Sequence, residues 1–141
     1  MNNPIGPIKQ IPPPTSSAWE LLKKERNRWY ETTKEFTVLG PHAGQELTVP
    51  IRFRFDGYTF APDLPDLTPA AAHDRAWEVR RWDSGQKITF KDSNDMLWLL
   101  MRASDNRLTR ESANLYRKGV NTLIARIVWI SGPIRAWISK Q

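Results

Sequence analysis

The sequence predicts an α+β domain, mainly helical: a small β-hairpin and three to four helices, preceded by an extended proline-rich N-terminal arm. Three observations carry this. Residues 34–39 and 46–55 alternate apolar and polar side chains, the period of a strand with one covered face. Residues 110–131 repeat apolar side chains at helical intervals, and Thr68-Pro69 is a strong start signal for a helix over 68–82. Of eleven prolines, five fall in the first fourteen residues, where they remove backbone donors and fix φ.

Taken in order, residues 1–15 form the arm. Ile5, Ile8 and Ile11 alternate with its prolines, which suits an extended segment lying on a neighbour or on its own domain. Residues 16–141 then form a single domain. Ser17-Ala-Trp-Glu20 is a capping-box pattern and opens a helix to about Trp29. Residues 34–39 and 46–55 pair as a hairpin around the turn Gly40–Gly44, with Pro50 marking an edge or a bulge. Thr68 caps the next helix, with Pro69 at its first position, and the helix runs to about Trp82. Asp83-Ser-Gly85 is a turn and Lys87 to Phe90 is extended. Asp92 or Ser93 caps a helix over 94–104, and Thr109 opens a long one over 110–131, stopped by Gly132-Pro133. Beyond it, Ile134, Trp137 and Ile138 keep helical spacing beside Arg135 and Lys140.

Composition bounds the function more loosely. The formal charge is +6 and there are seven tryptophans, which suits nucleic acid, an anionic membrane or an acidic partner equally. Nucleic acid has only net charge behind it, because basic residues and aromatics do not interleave in a recognised module. There is no cysteine, hence no disulfide framework and no thiolate metal site. No run of eighteen apolar residues and no signal-peptide pattern is present.

The stretch Thr68-Pro-Ala-Ala-Ala-His73-Asp74-Arg-Ala-Trp77 points most clearly at chemistry. Ala70, His73 and Trp77 share a helix face, and the alanines let a second helix approach. An antiparallel partner would place Asp95 opposite His73 or Trp77. A neutral imidazole can take a proton from water, and a carboxylate on its other nitrogen fixes the tautomer and stabilises the imidazolium. Asp74, with loop carbonyls, offers oxygen ligands for a hard cation such as Ca²⁺. The competing expectation is structural: His73 hydrogen-bonded in the interior, Asp74 solvated, and Asp95 complementing a helix dipole.

The pattern Ala-Ala-Ala-His73-Asp74-x-x-Trp77, followed by a helix opening with Asp95-x-Leu-Trp-Leu-Leu-Met, resembles the two central helices of secreted phospholipase A₂. The resemblance implies His73 as general base, Asp95 as its orienter, Asp74 as a calcium ligand and Trp77 as a supporting donor. The segment nearest to that family's calcium loop is Phe55-Asp56-Gly57-Tyr58-Thr59, which adds Asp56 to the metal site. A wider resemblance, over about residues 30–130, is to small proteins of tailed bacteriophages and prophages. It rests on Phe53-Arg-Phe-Asp56-Gly-Tyr-Thr-Phe-Ala-Pro62, Ala70 to Asp74, and Asn94-Asp95. It implies a virion-associated protein made in the host bacterial cytoplasm, with other virion proteins as partners. Two expectations follow. One is a calcium-dependent hydrolase of host envelope lipid. The other is a non-catalytic particle subunit that binds its neighbours through the N-terminal arm and the C-terminal helix. In either, Trp129, Trp137 and Ile138 form a membrane or partner surface.

Overall fold

The computed structural model describes residues 6–12, 29–57, 64–122 and 125–130. Five strands come first: β1 (Ile8–Ile11), β2 (Trp29–Thr32), β3 (Phe36–Leu39), β4 (Glu46–Val49) and β5 (Arg54–Phe55). The helices α1 (Thr68–Val79), α2 (Phe90–Arg102), α3 (Arg107–Glu111) and α4 (Ala113–Val120) follow, and residues 125–130 are again helical. The class is α+β, as the sequence predicts.

Part of the arm is a strand of the domain itself. β1 lies antiparallel to β2, with Ile8 opposite Thr32 and Ile11 opposite Trp29, and β5 flanks the other side of β2. Pro7 and Pro12 are tolerated because they bracket an edge strand rather than a central one. Trp29 therefore begins a strand instead of ending a helix. The rest of that expected helix, with Trp137 and Ile138, lies outside the described residues.

The hairpin forms in the expected place, with Phe36 opposite Val49 and Leu39 opposite Glu46. Its second strand is shorter than the alternation suggested. Pro50 ends β4, and Arg52 takes a left-handed φ of 63°. The Thr32 hydroxyl pins this corner, donating to the Pro50 carbonyl at 2.6 Å and accepting from the Phe53 amide at 2.9 Å. The chain then joins the other sheet as β5. At the hairpin turn, a Cβ on Gly40 would lie 2.6 Å from the Gln45 Cβ and 2.7 Å from the Trp82 ring, so only glycine fits.

α1 starts where Pro69 suits a first turn, and the Asp66 carboxylate accepts from the Thr68 amide at 3.1 Å. It stops three residues earlier than expected because Arg80 adopts the left-handed region, φ 62°. Ala70, Ala71, Ala72 and Ala76 are all buried, and α2 packs against this small-residue face. α2 begins at Phe90, not 94, because Thr89 is the cap and its hydroxyl accepts from the Asp92 amide at 3.0 Å. The expected helix over 110–131 is broken. Ser112 divides α3 from α4, and Asn121 ends α4. Thr122 restarts the helix, its hydroxyl accepting from the Ala125 amide at 3.2 Å. Ala113, Tyr116 and Val120 are buried, as the periodicity requires. No helix among the described residues is long and apolar enough to cross a membrane.

Candidate functional site

His73 sits on the α1 face that meets α2, where it is 3% exposed. Its Nε2 lies 2.9 Å from the Asn94 Oδ1, not near Asp95. The Asn94 side chain is held in turn: its Nδ2 donates to the Val120 carbonyl at 3.0 Å and to the Asn121 Oδ1 at 3.1 Å. Asn121 donates through its own Nδ2 to the Arg117 carbonyl at 2.8 Å. Each step fixes the next amide's orientation, so Asn94 presents an acceptor and His73 meets it with Nε2–H. The network joins α1, α2 and the end of α4.

The Trp77 indole N–H points at the same Nε2 at 3.1 Å. One nitrogen cannot donate to Asn94 and accept from Trp77 together. The chain of amides favours the protonated Nε2, and Trp77 then packs against the imidazole at a ring-centroid distance of 5.5 Å, tilted by 51°. Trp77 thus supports His73 itself, and does not donate to a carboxylate.

Burial pushes the His73 imidazole down from 6.5 to about 4; the hydrogen bond with Asn94 opposes this only in part. The ring is held neutral. Asn94 fixes its tautomer but brings no negative charge to stabilise an imidazolium.

Asp95 is therefore corrected. Its carboxylate accepts from the Lys91 ammonium at 2.6 Å and pairs with Arg117 at 3.4 Å on the outer side of α2. The physical reason is helix phase. Phe90, Asn94, Leu97 and Met101 lie at intervals of four, three and four, and this stripe faces α1 and the core. Asp95, one residue on, is turned about 100° away from it. Asn94 is the residue that sequence reasoning passed over, because attention went to carboxylates. The signal was present, since a polar side chain interrupting an apolar stripe must find a buried partner.

Asp74 and Asp56 do come together. With Glu78, Arg54, Trp29, Phe53, Phe55, Trp77 and Val128 they line a cleft of about 360 Å³ between the end of β5 and the outer face of α1. Among the described residues, no three His, Asp or Glu side chains gather as metal ligands. His42 is exposed, with its Nε2 3.4 Å from the Asp92 carboxylate.

Trp129 is also corrected. It is 9% exposed and packs edge-on to Trp77 at 5.1 Å and beside Phe90 at 6.0 Å, with the Arg80 guanidinium 3.6 Å from its ring centroid. It closes the core instead of presenting a surface, because its neighbours Ile127 and Ile130 take the outward positions of this helical turn. No protein-family model, curated protein or solved structure matches the chain.

Proposed function

We propose that the chain is a non-catalytic structural subunit of a phage particle, whose His73–Asn94 network braces the helices on which it presents its surfaces. One observation carries the non-catalytic half. The imidazole is buried, neutral and paired with a neutral amide, while the nearby carboxylate is turned away from the ring and engaged with Lys91 and Arg117. A general base works best with a pKa near the operating pH, and a group near 4 is poorly matched to neutral solution. The phage context rests on the resemblance over residues 30–130. Exposed Ile127 and Ile130, together with Leu108 and Leu115, supply apolar positions for contact with neighbouring subunits.

The test has two parts. Mass spectrometry of purified particles from a host that makes the chain should find it at a fixed copy number; its absence from particles would overturn the assignment. Purified protein incubated with anionic vesicles and calcium should release no fatty acid. Release that disappears in His73→Ala would restore the hydrolase.

A further inference from the structure

The cleft between β5 and α1 has a chemistry that the bracing role does not use. Its walls are aromatic: Trp29, Phe53, Phe55 and Trp77. Asp74, Trp77 and Glu78 project from one face of α1, being three and four residues apart, and Asp56 faces them from the end of β5. The described lining carries the carboxylates of Asp56, Asp74 and Glu78 and the guanidinium of Arg54, and Asp56 and Glu78 are the exposed acids at its rim. The guanidinium, Arg54, is already answered: its Nε donates to Glu31 at 3.1 Å. Asp56 is exposed and makes no ion pair among the described residues. Glu78 has only a 3.8 Å pairing with Arg75.

We propose that this cleft binds a cationic group on an aliphatic stem, the guanidinium of an arginine or the ammonium of a lysine. Aromatic faces attract cations through their quadrupole, and carboxylates at the rim supply the charge and the hydrogen-bond acceptors. The stem suits the apolar walls. The volume, about 360 Å³, lies at the small end of the range for compact ligands. One of these aromatic walls already takes a guanidinium from within the chain: Arg75, which does not line the cleft, places its guanidinium carbon 5.8 Å from the Phe53 ring centroid. This inference stands independently of the phage reading.

The test uses the full chain, with two-dimensional NMR of the tryptophan indole N–H groups. It is titrated with N-acetyl-arginine amide, with a Gly-Gly-Arg-Gly-Gly peptide, and with N-acetyl-glutamine amide as the neutral control. Both arginine probes should produce saturable shifts at Trp29 and Trp77, and the control none. The double variant Asp56→Asn, Glu78→Gln should weaken binding at least tenfold while leaving the thermal midpoint in place, since both side chains are exposed. Tighter binding of the peptide would place the cation on a partner chain, and equal binding would place it on a free small molecule. Equal shifts with the glutamine control, undiminished binding in the double variant, or no saturable change would overturn the proposal. So would a stronger response to calcium chloride than to either arginine probe.

Discussion

Replacing Asn94 by alanine removes the amide on which three side-chain and backbone groups converge. The His73 N–H and the Val120 carbonyl are left without a partner, and both residues are buried, at 3% and 1% exposure. Asn121 is exposed and can turn its oxygen to water. A buried polar group stripped of its partner costs about 1–3 kcal/mol. Two such groups, partly relieved by relaxation, give a loss of about 3 kcal/mol. Urea unfolding followed by tryptophan fluorescence reads this directly. With a slope of about 1–3 kcal/mol per molar, the midpoint should fall by about 1–3 M. The paired variant is Asp95→Ala. It removes ion pairs to Lys91 and Arg117, which are 77% and 42% exposed, and alanine is the better helix former. Its midpoint should stay close to the parent's. If Asp95→Ala loses as much as Asn94→Ala, or if Asn94→Ala unfolds with the parent, the network does not brace the helices as described.

Three further outcomes are expected. The folded chain keeps His73 neutral down to about pH 4, whereas the unfolded chain protonates it from about 6.5, so the unfolded state binds more protons in between. Stability should therefore fall as pH drops from about 6.5 to about 4, by about 3 kcal/mol in total, and His73→Gln should flatten this slope in urea titrations at stepped pH. Gly40→Ala should cost about 1–3 kcal/mol in the same assay, because its Cβ has no room beside Gln45 and Trp82. Trp129→Ala should cost about 3–5 kcal/mol, whereas Ile130→Ser on the outward side should change stability little.

Much of the fold was legible in local chemistry. The hairpin followed from alternation around Gly40 and Gly44, and α1 from Pro69 and the alanines. What escaped depends on contacts distant in sequence. β1 exists because Ile8 to Ile11 find β2 some twenty residues away, and no local pattern announces that pairing. The break after α4 is made by Asn121 and Thr122, whose preference for local backbone bonds was masked by the apolar spacing around them. The meeting of α1 with α2 was foreseen, and so was the shared face of Ala70, His73 and Trp77. The partner of His73 was not, because a carboxylate was expected where the buried stripe carries an amide. The stripe Phe90, Asn94, Leu97, Met101 points to the amide and turns the carboxylate of Asp95 away. Asp56 and Asp74, expected as metal ligands, line one cleft, and its aromatic walls could be seen only once β5 and α1 were in place.

An NMR titration of the His73 imidazole tests the central claim most directly. Its midpoint should lie near pH 4, should stay there in Asp95→Asn, and should rise in Asn94→Asp, which puts a carboxylate against the ring. A midpoint at or above 6.5 that drops when Asp95 is neutralised would mean that Asp95 is the ring's partner after all, and would contradict the account.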